Sequence, residues 1–166
     1  MDSRYKFLII RFSSIGDIIL TTPLIRCLRA TFPNAQIDFL VKKEFAEVLS
    51  GNPHISNIIT FDKADSRNQL RLIRMQVQLT RYSMILDIQK NIRSMMIGVG
   101  SRTGIAGFSK KLMARDLLIR FKINIYKEIK PVYLRYFESV ETLGVRYDGK
   151  GTEVFPSEQE TSAVEA

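Results

Sequence analysis

Residues 7–33 read FLIIRFSSIGDIILTTPLIRCLRATFP, and this stretch decides the fold. Phe7-Leu8-Ile9-Ile10 is an apolar run too short for a helix and rich in strand formers. Ser13-Ser14-Ile15-Gly16-Asp17 follows as a polar turn. A run with helical spacing comes next, interrupted by Pro23 just after Thr21-Thr22. Strand, tight turn and helix make the first half of a βαβ unit. In open α/β sheets, ligands bind at the turn leaving the carboxyl end of such a strand.

The turn carries its own chemistry. Gly16 allows a backbone geometry or a close approach that a side chain would forbid. Ser13 and Ser14 offer hydroxyl donors and acceptors. Asp17 is the only carboxylate between Asp2 and Asp38, and it stands where turn becomes helix. On position alone it is a cap, satisfying free amides and complementing the helix dipole. The same dipole holds it ionised, which suits a base in protonation state but weakens it. The turn is not a dinucleotide fingerprint, because G-x-G-x-x-G is absent, and Gly100, Gly104 and Gly107 match neither that pattern nor a Walker loop.

Outward from this stretch, strands and helices alternate. Pro23 interrupts the first helix or restarts it with Thr22 as cap. Leu24, Ile25 and Leu28 then face a sheet, with Arg26 and Arg29 toward water. Ile37, Phe39 and Val41 alternate with Asp38 and Leu40 as a second strand, followed directly by Lys42 and Lys43. Glu44 to Leu49 reads as a short helix, and Ile58 to Phe61 as a third strand. Gln69 to Arg81 is amphipathic: Leu70, Ile73 and Val77 share a stripe, and Arg71, Arg74 and Arg81 read as its solvated face. Met84 to Ile88 is a fourth strand, turning through Gln89-Lys90-Asn91 into a helix from about Ile92, with Asp87 as a cap. Arg102 precedes a fifth, Thr103 to Phe108, and Lys110, Lys111 and Arg115 form a basic cluster after it. Pro131 to Leu143 reads as a last helix, with Gly144 just past its end. The alternation predicts an α/β, Rossmann-like, mainly parallel sheet with helices on both faces.

Composition narrows the function. The 166 residues suffice for one domain with a sizeable core. A formal charge of +8 favours anionic partners: phosphorylated lipid, nucleotide or nucleic acid. The basic residues are dispersed and no recognition motif is present, so nucleic acid is not expected. The one cysteine, Cys27, sits among Leu24, Ile25 and Leu28 as buried filler, and fits a reducing compartment. With one cysteine and one histidine (His54), a zinc site is not expected. Charges or prolines interrupt every apolar run below membrane-spanning length, and Arg11 cuts the first too short for a signal peptide. The expectation is a cytoplasmic protein whose contact with the inner membrane is peripheral.

One ordered series is more specific. On Ser13-Ser14-Ile15-Gly16-Asp17, Ile18 to Pro23, Ile37 to Val41, Gly51-Asn52-Pro53 and Leu86-Asp87-Ile88-Gln89, the chain resembles the start of glycosyltransferase family 9, the ADP-heptose:lipopolysaccharide heptosyltransferases. The likeness covers most of residues 5–156. It implies the amino-terminal half of a two-domain B-type glycosyltransferase. Residues 1–156 are then the acceptor-side domain, and 157–166 a linker or the start of a carboxy-terminal donor domain that the chain lacks. The implied reaction moves heptose from ADP-heptose to a lipid A–core acceptor with inversion at the anomeric carbon. By resemblance Asp17 is the catalytic base, and Ser13, Ser14 and Gly16 shape the turn around acceptor or diphosphate. Lys42, Lys43, Lys90 and Arg102 are candidates for acceptor anions. No metal or other cofactor is implied. Family members often carry Gly where this chain has Lys90. Alone, the chain is expected to show little transfer. Two alternatives stay open: a non-catalytic half-protein that binds anionic lipid or a partner, and a nucleotide-binding module of another enzyme class.

Overall fold

The computed structural model describes residues 5–99, 103–107 and 131–156. Five parallel strands form its sheet: β1 (Lys6–Ile10), β2 (Gln36–Lys42), β3 (Asn57–Phe61), β4 (Met84–Asp87) and β5 (Gly104–Ala106), in the order β3-β2-β1-β4-β5. β1 is central. Phe7 lies beside Ile37 on one edge and Met84 on the other. Phe7 to Ile10 are all buried, as a strand covered on both faces requires.

Each face has its own core. Phe7, Ile9, Phe39, Val41 and Leu86 pack under Leu24, Ile25 and Leu28 of α2 (Thr22–Thr31) and Tyr136 of α5 (Val132–Tyr136). Leu8, Ile10, Leu40 and Ile85 pack under Ile73 and Val77 of α3 (Ser66–Thr80) and Ile97 of α4 (Ile92–Gly98). Each such side chain contributes roughly 1.5–3 kcal/mol by leaving water. The predicted helix break is real: α1 (Ile15–Ile19) stops, and α2 restarts with Pro23 in its first turn, although its cap is Thr21 and the expected cap, Thr22, is already helical.

The structure departs from the sequence reading in three places. Arg26 and Arg29 do not face water. Arg26 holds Asp148 through Nε (2.8 Å) and Glu153 through Nη1 (2.6 Å), while Arg29 donates to the carbonyls of Ala35 and His54. Arg29 is covered because the loops at 33–35 and 54–56 close around it, and Arg26 because the segment after α5 folds back over it. That segment is pinned again where the Glu153 amide donates to Thr22 Oγ1 at 3.0 Å. The helix expected over 131–143 is α5 followed by 3₁₀ turns at Phe137–Ser139 and Glu141–Leu143, ending at Gly144 with φ 73°. Ser139 Oγ bonds the Tyr136 carbonyl at 2.6 Å, offering the backbone a local alternative to the α-helix. The expected helix over 44–49 is likewise a 3₁₀ helix, Lys43–Leu49.

Asp38, which alternation alone would put on a wet face, is buried at the amino end of the sheet. Its carboxylate accepts from Gln36 Nε2 (2.7 Å), Asn57 Nδ2 (2.8 Å) and Tyr82 Oη (2.6 Å). Burial first, and the Asp38 carboxylate second, push the Tyr82 phenol well above its ordinary value. Tyr82→Phe removes a bond to a buried acid and is expected to cost about 1.5–3 kcal/mol, the usual range for hydrogen bonds to charged groups. Urea unfolding measures it; a loss below about 0.5 kcal/mol would mean the Asp38 cluster lends no stability.

Candidate active-site crevice

The chain leaves β1 to build β2 on one side and returns to place β4 on the other. That reversal opens a crevice at the carboxyl ends of β1 and β4. Two turns meet there: residues 11–14 leading into α1, and residues 88–91 leading into α4. They are stitched together. The amides of Ile88 and Gln89 both donate to the Ile10 carbonyl, at 3.1 and 3.0 Å. Gln89 Oε1 in return accepts from the amides of Phe12 (2.9 Å) and Ser13 (3.4 Å). A side-chain amide thus continues the strand pairing beyond the end of the ladder.

Asp17 stands in the first turn of α1. Its Oδ2 accepts from the Ser14 hydroxyl (3.1 Å) and amide (3.4 Å), so the capping expectation holds. It also forms an ion pair with Arg11 Nη2. Arg11 is anchored in turn, its Nη1 donating to the Ile88 carbonyl at 3.1 Å. Partial burial pushes the Asp17 carboxyl up, but the Arg11 charge and the bonds from Ser14 and Arg11 outweigh it and hold the group below its ordinary value. Asp17 is therefore an ionised carboxylate, about a third exposed, at the mouth of the crevice.

The other candidates fall in three places. Ser13, Ser14 and Gly16 form the rim beside Asp17, with Ser14 and Gly16 exposed. Gly16 does not owe its identity to the fold: its φ is not left-handed, and an added Cβ would meet nothing within 4 Å. Lys90 lies across the crevice with φ 48°, the left-handed region that favours glycine. Asp87 is buried and supports that turn, accepting from the Lys90 amide (2.7 Å) and Ser94 Oγ (2.8 Å). Lys42 and Lys43 gather at the ends of β2 and β3 instead. Lys42 pairs with Glu44 at 3.0 Å and lies over the Phe45 ring, and Lys43 is 3.7 Å from Asp62. With Phe61 and Lys63 they line a shallow depression of about 300 Å³. The Lys42 amide donates to the Phe12 carbonyl at 3.3 Å, which ties this second site to the root of the turn. Arg102, Gly100, Phe108, Lys110, Lys111 and Arg115, like residues 157–166, lie outside the described residues. Among the described residues, no group of His, Cys, Asp and Glu is placed to hold a metal ion.

Sequence reasoning missed Arg11 and Gln89. Arg11 registered only as the charge that ends an apolar run. The available signal was a lone arginine directly after a buried strand and before a turn that contains an acid. Gln89 stood at a strand end and within the Leu86-Asp87-Ile88-Gln89 piece of the resemblance, but nothing in the sequence gave its bonds to the Phe12 and Ser13 amides.

No family model matches the chain. It is 33% identical over 81 residues to lipopolysaccharide heptosyltransferase 3 of Escherichia coli K12, across 44% of this chain and 23% of that protein. It is 25% identical over 138 residues to lipopolysaccharide heptosyltransferase 1 of Pseudomonas aeruginosa, across 76% of this chain and 38% of that protein. Its fold matches a family 9 glycosyl transferase from Veillonella parvula with a TM-score of 0.76 at 19% identity, over 97% of this chain and 48% of that one. The chain is heptosyltransferase-like. The Escherichia coli heptosyltransferase WaaC, solved with ADP, shares the fold at a TM-score of 0.66 and 21% identity, over 89% of this chain and 50% of that one. The heptosyltransferase-like chain thus spans about half the length of these solved proteins, and the matched segments cover less than half of the curated relatives.

The Arg11–Asp17 pair has a pH signature. Asp17 is expected to titrate below its ordinary 3.8, and Arg11→Gln is expected to move it upward, because the attraction goes while part of the burial stays. A folded value below the unfolded one means the pair stabilises the fold fully above about pH 4 and loses that effect as pH falls through the folded value. Carboxyl carbon-13 NMR reads both; an unchanged midpoint in Arg11→Gln would show that Arg11 does not hold the acid.

Proposed function

We propose that this chain is the acceptor-side unit, residues 1–156, of an inverting heptosyltransferase that moves heptose from ADP-heptose onto the lipopolysaccharide inner core. The observation that carries the reading is Asp17: an ionised carboxylate at the mouth of the switch-point crevice, oriented by Arg11 and Ser14. An inverting displacement needs a base for the acceptor hydroxyl proton, in line with the anomeric carbon. Asp17 takes that proton as the hydroxyl oxygen attacks and the bond to the diphosphate breaks. The low basicity that Arg11 imposes is relieved as bound acceptor displaces water, since desolvation disfavours the charged form.

Ser13, Ser14 and Gly16 shape the rim against acceptor or diphosphate, and the open space at Gly16 admits substrate close to the backbone. Lys42, Lys43 and Lys90 meet acceptor anions, with Arg102 joined to them on sequence alone. Charged and amide donors at the crevice steady the departing diphosphate. The donor nucleotide is held by a second unit, to which residues 157–166 lead, and the protein works in the cytoplasm at the inner face of the inner membrane. Support comes from the heptosyltransferase relatives and from the fold shared with a protein solved with ADP.

Transfer from ADP-heptose to heptose-free core lipid, assayed on the protein as it occurs in its source cell, tests the reading. Asp17→Asn is expected to keep the circular dichroism spectrum and lower turnover by about 10²–10⁴-fold, the usual worth of general base catalysis. Turnover within a few-fold of wild type would remove Asp17 as the base. Gly16→Ala separates site from scaffold. It is expected to leave stability unchanged or raise it by up to about 1 kcal/mol, as alanine for glycine in a helix does, while weakening acceptor use. Equal loss of stability and activity would make Gly16 structural. Tight ADP binding by this chain alone, in calorimetry, would move the nucleotide site onto it.

A further inference from the structure

We propose that the outer face of α3 and α4 is a docking surface for an anionic phospholipid bilayer. The proposal takes only its setting, a membrane-borne acceptor, from the functional reading above, and does not depend on Asp17 being the base.

An ordinary solvated helix carries both signs of charge and hides its large apolar side chains. These two helices do neither. Asp87 is the only acidic residue between Ser66 and Arg115, and it is buried. Arg67, Arg71, Arg74 and Arg93 therefore face no carboxylate on either helix. Beside them, Leu79 is 80% exposed, Ile92 78% and Met95 61%, with Met75, Met96 and Val99 also at the surface. Buried Ile73 and Val77 fix which side of α3 meets the sheet. At 100° per residue, Arg67, Arg71 and Arg74 then form one stripe and Leu72, Met75 and Leu79 the next. The arginine stripe is the one nearer α4. A groove of about 340 Å³ between the helices is lined by Arg67, Arg71, Arg74, Met75 and Met96. Arg74 Nη2 donates to the Val99 carbonyl at 3.2 Å, joining the helices into one surface.

A groove lined by guanidinium groups and exposed methionines suits a lipid phosphate beside the start of an acyl chain. Charge selects the occupant: helices that carry arginines and no acid repel basic and attract anionic partners, and the exposed apolar side chains beside the arginines fit a bilayer interface. The placement is consistent with a membrane-borne acceptor. In a parallel sheet the amino termini of α3 and α4 lie at the carboxyl edge, so the face begins beside the crevice.

Co-sedimentation of the whole 166-residue chain with vesicles tests this. Vesicles of 30% phosphatidylglycerol in phosphatidylcholine are expected to bind at least about tenfold more tightly than pure phosphatidylcholine at low salt. Arg67→Glu with Arg71→Glu, both exposed, is expected to lose at least about tenfold of that affinity. Ile92→Ser with Met95→Ser is expected to weaken binding to a residue that salt removes entirely. Arg146→Glu with Lys150→Glu, on the opposite face of the sheet, changes net charge equally and is expected to bind nearly as wild type. Equal binding to both vesicles, no binding, or the same loss in the opposite-face variant would overturn the proposal. So would a dimer in analytical ultracentrifugation that Ile92→Ser with Met95→Ser abolishes, since the face would then belong to a second copy. Turnover on a detergent-dispersed acceptor reads the chemistry separately. If it survives while vesicle binding fails, the docking surface falls and the transferase reading stands.

Discussion

β1 is buried on both faces and paired on both edges, and most of the molecule follows from that. After Lys6 at its start the strand carries no charge, so the next polar side chain arrives where the sheet ends. Here it is Arg11, and its guanidinium has only nearby acceptors to satisfy it: the Ile88 carbonyl from the neighbouring turn and the Asp17 carboxylate. The same residue therefore closes the end of the sheet and sets the charge state of the acid at the crevice. Closure of the sheet and ionisation of that acid share one side chain.

The fold was legible because its strongest signals are local and redundant. The apolar run at Phe7 to Ile10, the Pro23 restart and the stripe through Ile73 and Val77 each select one structure without help from elsewhere. What escaped the sequence was long-range. Arg26 looks solvated on a helical wheel, and only the return of residues 148–153 over α2 covers it. Asp38 alternates like a surface residue, yet Tyr82, far along the chain, arrives to bury and bond it. Alternation tells faces apart but not whether a face is wet.

The site was legible in part for a different reason. Asp17 and its turn were named by resemblance and by position at a strand end, and the geometry places them at the switch point. The cap and the base are not rival readings of this residue. Ser14 occupies one flank of the carboxylate and leaves about a third of it open to solvent. Arg11 could not be foreseen in its role, because pairing between residues six apart across a turn has no periodic signature. The lysines divide by place: Lys90 belongs to the crevice, while Lys42 and Lys43 sit one strand over, already engaged with Glu44 and Asp62.

The backbone at Lys90 and the empty space at Gly107 belong together. A Cβ at 107 would fall 2.4 Å from Lys90 Cε and 3.0 Å from the Asp87 carbonyl. The lysine stem runs through the volume that its neighbour does not fill. Where a relative has glycine at the first position, the second is released from half of this constraint. The two obstacles differ in kind: the lysine stem can swing aside, whereas the Asp87 carbonyl is backbone and cannot, so it is the end of β4 rather than the side chain at 90 that keeps 107 bare.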